Sequence, residues 1–215
     1  IVLPESGDER ILRATEILLR RDVAEIILLG DKKHVLDKAS KLGLDISKAT
    51  FVNPKTSPLM DKYAKLFYDL RKHKGLSEDV ARQSMEMDSY FATMMVHCGD
   101  ADGMVSGAVH TTQETIRPAL QIIKTKPGVS IVSSIFFMCL DTKVLVYGDC
   151  AVNQDPNAEQ LAEIAITSAK TAAMFGIEPK VAMLSYSTGD SGKGEEVEKV
   201  RKATKIVHER EAELL

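Results

Sequence analysis

The stretch EIILLGDKKHVLDKASKLG, residues 25–43, sets the pattern on which the fold depends. Its apolar run ends at Gly30, and an amphipathic segment follows from Lys32 to Leu42, where Gly43 stops it. A short apolar run that ends at a glycine predicts a buried strand, and apolar residues at helical spacing predict a helix. The stretch therefore predicts one strand–helix unit.

The same alternation extends along the chain in both directions. IVLPES (1–6) predicts a strand, and the segment from Asp8 to Arg21 predicts a helix with acidic residues in its first turn. TFVNP (50–54) predicts a third short strand. Alternating strands and helices are typical of α/β proteins with largely parallel sheets, which is the fold class predicted here. Further helices are predicted at 57–73, from the N-cap Ser77 onward, and at 89–98.

Beyond residue 100 the pattern is less regular. A strand is predicted directly before Ser106, and the helix after it is expected to break near Pro118. Two neighbouring strand-like runs, 129–140 and 143–152, then interrupt the alternation. We therefore predict two α/β domains, residues 1–128 and 129–215. The second is predicted to continue with a helix over 157–175, a strand over 180–187 and a charged helix from Glu195 onward.

Composition limits the classes of function. The chain of 215 residues carries 28 basic and 31 acidic residues, so no overall positive field favours nucleic acid or an anionic membrane. Aromatic residues are few and Trp is absent, which argues against stacking platforms for single strands. No apolar run approaches the ~20 residues that cross a bilayer. Three widely spaced cysteines in no metal-binding pattern fit a reducing cytoplasm.

One candidate anion site is the loop between the strand before Ser106 and the next helix. Gly107 allows the backbone to approach a ligand closely, and the hydroxyls of Thr111 and Thr112 can donate hydrogen bonds at the helix start. Arg117, about a turn and a half further on, can offer a two-pronged contact to phosphate. The alternative is that Thr111 or Thr112 only caps the helix while Arg117 faces solvent.

A second candidate is SYSTGDSGKGEE, residues 185–196, between a predicted strand and a helix. Three glycines and four Ser or Thr residues within ten positions, Ser187, Thr188 and Gly189 among them, are typical of a phosphate-binding loop. The loop matches neither the Walker pattern nor the Rossmann glycine pattern. A flexible surface turn is the alternative.

Three further candidates have simple structural alternatives. Arg71 belongs to a basic cluster, LRKHKG (70–75), that either complements a helix C-terminus or meets a phosphate of a ligand. His110 is a candidate general base and Cys150 a candidate nucleophile, but neither has a partner visible in the sequence. A hydrogen-bonding loop histidine and a core cysteine are the alternatives.

Four long blocks resemble the phosphate acetyltransferase family, also called phosphotransacetylases. They are GDERILRA, VSGAVHTTQETIRPALQIIKT, YGDCAVNQDPNAEQLAEIAI and KVAMLSYSTGDSGKG, and the match is collinear along the chain. The resemblance implies interconversion of acetyl-CoA plus phosphate with acetyl phosphate plus CoA, without a dissociable cofactor or metal. It also implies a cytoplasmic homodimer with a two-domain, three-layer α/β/α fold similar to isocitrate and isopropylmalate dehydrogenases, and an active site in the interdomain cleft.

The resemblance assigns roles to individual residues. Arg71 and Arg117 match arginines implicated in binding the phosphates of CoA. The loops Ser106–Thr112 and Ser185–Gly194 match segments that line the cleft. The family's Ser-Arg pair, and the Asp proposed to deprotonate the CoA thiol, have no counterpart here. We therefore expect the chain to match about the first two-thirds of a family member and to lack the segment that completes the first domain, with both ends cut. No catalytic residue and no cysteine is carried over.

Three other functions remain open at this point. A phosphate butyryltransferase is a sister enzyme with a larger acyl pocket. Related modules behind some malic enzymes sense acetyl-CoA without catalysis, although intact SGAVHTT and SYSTG motifs weigh against that reading. A nicotinamide-dependent dehydrogenase of similar fold is the third alternative, which a binding assay with the dinucleotide would test.

Overall fold

The computed structural model describes residues 1–189, 191–212 and 214. The chain divides into two compact units, Ile1–Lys124 and Thr125–Leu215, which are described in turn. The described residues contain no helix that is long and apolar enough to cross a membrane.

The first unit is built on a small parallel sheet. Its strands are β1 (Val2–Leu3), β2 (Ile27–Leu29) and β3 (Thr50–Val52), and β2 lies in the middle. The strand predicted before Ser106 is reduced to a single parallel bridge between Met104 and Val2. That prediction was wrong in extent, because only the amide of Val2 and the amide of Val105 form ladder bonds there, at 2.8 and 3.0 Å.

Helices cover both faces of this sheet, because neighbouring strand residues point to opposite sides. Leu3 and Leu28 share one apolar cluster with residues of the first two helices, whereas Val2 and Leu29 share a larger one with residues of the later helices. This confirms the predicted mixed α/β fold with parallel strands for the first unit. Its helices are α1 (Glu9–Arg21), α2 (Lys32–Lys41), α3 (Met60–Arg71), α4 (Glu78–Ser84), α5 (Asp88–His97) and α6 (Thr112–Ile122), with short 3-10 turns at Pro54–Thr56 and Lys72–Lys74.

Local capping explains where several of these helices begin. Asp8, Asp31 and Ser77 each accept a hydrogen bond from a backbone N–H in the first turn of α1, α2 and α4. The predicted break near Pro118 was wrong, since α6 continues through it to Ile122. The proline removes one N–H donor from the helix, but its ring is buried, and this burial offsets part of the loss.

The second unit has a different architecture. The two predicted strand-like runs form an antiparallel hairpin, β4 (Ile135–Cys139) and β5 (Val144–Gly148). The helices α7 (Ala158–Met174) and α8 (Glu195–Arg210) pack against each other around small buried residues of both. Asn157 caps α7 through a reciprocal pair of hydrogen bonds with Gln160.

The strand predicted over 180–187 is absent from the part of this unit that the structure describes. The segment is irregular, and the Leu184 side chain is 86% exposed. An alternating apolar pattern specifies a strand only when a neighbouring strand accepts its hydrogen bonds, and this segment has none among the described residues.

We predict that the larger apolar cluster of the first unit, which contains Val2 and Leu29, contributes much of the free energy of unfolding of that unit. Phe91 is fully buried and meets Tyr63 edge to face, with 5.0 Å between ring centroids. Phe91→Ala should lower the free energy of unfolding by about 3–5 kcal/mol, measured by urea denaturation. Val23→Ala is the control, because Val23 is 63% exposed. Equal effects of the two changes would contradict the packing described.

Candidate active site

A buried carboxylate organises the loop at the carboxyl edge of the first sheet. Glu5 follows β1, and its side chain is only 2% exposed. One carboxylate oxygen accepts hydrogen bonds from the amides of Gly107 and Ala108, both at 2.9 Å. The other accepts from the amides of Val109 and His110, both at 2.6 Å. Four consecutive N–H groups therefore converge on one side chain from more than 100 residues earlier.

The same contacts control the protonation of Glu5. Burial tends to raise the pKa of the carboxyl, but the four amide hydrogen bonds outweigh it and lower the pKa from 4.5 to about 2. The carboxylate is thus charged throughout the physiological range. Since one pKa unit corresponds to 1.36 kcal/mol, the shift represents about 3 kcal/mol in favour of the folded state when Glu5 is ionised.

Arg10 fixes the loop from the outside. Its guanidinium forms two hydrogen bonds of 2.9 Å to the carboxylate of Asp8, the N-cap of α1. It also donates to the carbonyl oxygen of Ala108. The start of α1 and the loop before α6 are therefore joined through one exposed arginine.

Ser106 and His110 face each other across the same loop. The hydroxyl of Ser106 lies 3.3 Å from Nδ1 of His110, and that nitrogen is also 3.3 Å from the nearer oxygen of Glu5. Asp88 lies close enough for electrostatic coupling: burial raises its pKa, and electrostatic interaction with the neighbouring side chains of His110 and Lys55 opposes that rise. Nδ1 of His110 thus lies 3.3 Å from both a hydroxyl and a carboxylate, and its contact with Ser106 supports a hydrogen-bonding role.

Thr111 caps the start of α6, whereas the backbone amides of the next two residues have no acceptor among the described residues. The hydroxyl of Thr111 accepts from the amide of Glu114 at 3.3 Å and donates to its carboxylate at 2.9 Å, a complete capping box. The structural role considered for Thr111 is therefore present. Among the described residues, the amides of Thr112 and Gln113 have no acceptor, and they remain available to a ligand.

The two candidate arginines belong to neighbouring helices. Arg117 is exposed on α6, and no side-chain hydrogen bond joins it to another described residue. Arg71 is half-buried and ends α3. This helix packs with α6 around the larger apolar cluster of the first unit. Gly107 has φ of +117°, which favours glycine, yet its amide is already used by Glu5 and is closed to a ligand.

The second candidate loop lies in the second unit. The hydroxyl of Ser187 accepts from the amide of Gly192 at 2.9 Å and donates to the carbonyl of Gly189 at 3.0 Å. A Cβ added at Gly192 would lie 2.6 Å from that of Ser187, so this turn requires glycine. Thr188 accepts from Ser191 through its carbonyl. Asp190 lies outside the described residues.

Cys150 lies in a hydrogen-bonded loop after β5. Its thiol donates to the hydroxyl of Ser134 at 3.3 Å, and that hydroxyl in turn donates to the carboxylate of Asp149. Asp149 also accepts from the amides of Ala151, Val152 and Asn153 at 2.9–3.1 Å. Burial tends to raise the pKa of Asp149, but these hydrogen bonds outweigh it and hold the pKa well below its usual range. The thiol is thus a member of a structural network.

Sequence reasoning missed Glu5 and Arg10. Glu5 was interpreted only as part of a strand, and Arg10 only as part of a helix and of one block of the family resemblance, without a role of its own. The available signal was a carboxylate directly after an apolar strand, since that position reaches the edge where parallel sheets gather their loops. In the described residues, no group of three or more His, Cys, Asp or Glu side chains is placed to hold a metal ion.

The fold and the loop define an α/β protein with a hydroxyl-containing strand-to-helix loop, an arrangement typical of sites for phosphorylated ligands. A protein-family model described as "Phosphate acetyl/butaryl transferase" matches residues 1–215. The chain belongs to this family.

Named relatives agree with this assignment. The chain is 61% identical over 215 residues to a phosphate acetyltransferase of Nitratidesulfovibrio vulgaris and 60% identical over 216 residues to one of Synechocystis sp.. Each match covers 100% of the chain, but only 30% and 31% of the relatives. The crystal structure of a phosphotransacetylase from Streptococcus pyogenes is 45% identical in sequence and superposes with a TM-score of 0.94. The match covers 100% of this chain and 65% of that one.

The Glu5 contacts predict a specific pH dependence of stability. Glu5→Gln should lower the free energy of unfolding by about 2–3 kcal/mol near neutral pH, because an amide cannot satisfy all four N–H groups. The folded pKa of Glu5 is depressed, so its contribution is complete above the unfolded value of 4.5 and is lost as the pH falls toward about 2. The deficit of the variant should shrink over that window in urea unfolding experiments.

The exposed Glu9 on α1 provides a charge-matched control. Glu9 pairs with Arg13 on the helix surface, and Glu9→Gln should change stability by less than about 1 kcal/mol. A Glu5→Gln deficit that stays constant between neutral and acidic pH would contradict the assignment of these hydrogen bonds to the charged carboxylate.

Proposed function

We propose that the protein is a phosphate acetyltransferase that interconverts acetyl-CoA plus phosphate with acetyl phosphate plus CoA. In this reaction the thiolate of CoA attacks the acetyl carbon directly in a ternary complex. The bond from that carbon to the phosphate oxygen breaks, and phosphate leaves. The relatives at 60–61% identity carry this name, and their similarity is the observation that carries the proposal.

The geometry of the first unit supports a site for the phosphate-bearing substrate. Thr112 and Gln113 present open amides at the positive end of the α6 dipole. Ser106 precedes them on a loop that Glu5 holds in place, and Thr111 fixes the helix start. These donors can hold phosphate charge as it develops on the leaving group.

The remaining site residues are proposed from the family resemblance. Arg71 and Arg117 are proposed to bind phosphates of CoA, and Ser187, Thr188 and Gly189 are proposed to contact substrate. Neither a metal nor a dissociable cofactor takes part. For the complete protein we propose a cytoplasmic homodimer with an isocitrate dehydrogenase-like two-domain fold, which binds neither nucleic acid nor membrane.

The direct test is formation of acetyl-CoA from acetyl phosphate and CoA by the complete protein, followed by absorbance of the thioester. Absence of CoA-dependent turnover would reject the proposal. Butyryl phosphate is the necessary comparison, because the matching family model covers both acyl groups. The names of the relatives favour acetyl phosphate, so its kcat/KM should be the higher of the two.

Arg117 provides a prediction for the CoA contacts of the first unit. Arg117→Ala should raise the KM for CoA or acetyl phosphate at least about tenfold, equivalent to about 1.4 kcal/mol. Arg117→Lys should restore binding only in part, because an ammonium group cannot form a two-pronged contact. Steady-state kinetics with each substrate varied in turn measures both effects. Unchanged kinetics in the Ala variant would leave Arg117 as a solvent-facing residue.

Arg71 tests the contact to a peripheral phosphate of CoA. Arg71→Ala should weaken binding of CoA by about tenfold and binding of dephospho-CoA by much less, because only CoA carries the phosphate that the guanidinium would meet. Lys74→Ala is a suitable control, since Lys74 is an exposed cation in the same basic cluster. Equal losses with both thiols would instead indicate a general effect of charge at the end of α3.

A further inference from the structure

The backbone N–H groups of the loop before α6 donate their hydrogen bonds within the protein itself. The amides of Gly107 to His110 all point at Glu5, whose side chain is 2% exposed. Strand-to-helix loops in α/β proteins usually offer such amides to a bound anion. Here an internal carboxylate occupies that position, so an external phosphate is left with the Ser106 hydroxyl and the first amides of α6.

We propose that Glu5 is a positioning residue for the phosphate-bearing substrate: it acts as a built-in anion that sets the loop so that Ser106 and the amides of Thr112 and Gln113 face the ligand. This inference rests on the proposed function and extends it to a residue outside the candidate set. Glu5 touches neither substrate. It acts through the loop alone.

Three contacts support a role in positioning rather than in packing alone. Glu5 fixes the peptide orientation of four successive residues, and Arg10 fixes the carbonyl of Ala108 between them. The same carboxylate also lies 3.3 Å from Nδ1 of His110, which contacts Ser106. An apolar side chain of similar size would fill the space, but it could not orient any of these groups. The loop conformation therefore depends on the two acceptor oxygens of the carboxylate.

The isosteric change Glu5→Gln separates these two roles. Glutamine keeps the shape, but its NH₂ group must face two backbone donors, because each carboxylate oxygen accepts from a different amide pair. In the complete protein the KM for acetyl phosphate should rise at least about tenfold, while the KM for CoA changes less than about threefold. Glu9→Gln, the exposed charge-matched control, should leave both constants unchanged.

Glu5→Asp guards against loss of folding in the Gln variant. Aspartate keeps the charge and both acceptor oxygens but withdraws them by one methylene. It should fold and show an intermediate rise in the KM for acetyl phosphate, about three- to fivefold. A KM rise shared equally by acetyl phosphate and CoA in either variant would overturn the proposal, because it would indicate general disorder. Wild-type constants in Glu5→Asp together with an unfolded Glu5→Gln would also overturn it.

A second readout does not depend on turnover. Hydrogen exchange should be slow at the amides of 107–110 in the wild type and at least about tenfold faster in Glu5→Gln. Binding of inorganic phosphate, measured by calorimetry, should weaken about tenfold in the same variant and stay unchanged in Glu9→Gln. Faster exchange with unaltered phosphate binding would reduce Glu5 to a purely structural residue. If the wild type lacks transferase activity, the proposed function fails, and these two measurements still decide the role of Glu5.

Discussion

The hydrogen bonds between the Glu5 carboxylate and the amides of Gly107 to His110 are the constraint on which the first unit depends. They join the end of β1 to the loop before α6, which no local sequence signal connects. Burying a charge is unfavourable unless it is fully hydrogen-bonded, and the four amides meet that requirement. The pKa shift of Glu5 corresponds to about 3 kcal/mol of folding free energy, and folded proteins typically have a net stability of about 5–15 kcal/mol. These hydrogen bonds therefore contribute a substantial part of the stability of the first unit.

Once the loop is fixed, the position of α6 follows by local chemistry. Thr111 caps the helix and Glu114 completes the capping box, which leaves the next two amides facing outward at the positive end of the dipole. Ile122, at the other end of α6, joins the larger apolar cluster with residues of α3 and α5. The helix is thus held at its start by hydrogen bonds and near its end by packing.

Sequence reasoning found what is local and missed what is distant. The strand–helix units of the first sheet, the cap of α4 and the positions of the candidate loops could be predicted because each signal lies within a few residues. The contact between Glu5 and residues 107–110 could not, since it joins positions more than 100 apart. The predicted strand over 180–187 failed for a related reason: its pattern carries no information about whether a neighbouring strand is present to accept its hydrogen bonds.

In both units a carboxylate directly after a strand accepts the hydrogen bonds of a neighbouring loop. In the second unit, Asp149 follows β5 and accepts hydrogen bonds from the successive amides of Ala151, Val152 and Asn153 and from the hydroxyl of Ser134. Each of these loops therefore satisfies its own donors with an internal carboxylate and needs no ligand to be ordered. A loop that is already ordered does not lose conformational entropy when it binds, so more of each contact is realised as affinity. The geometry thus favours a loop that is ordered before ligand binding at residues 106–111 of the first unit.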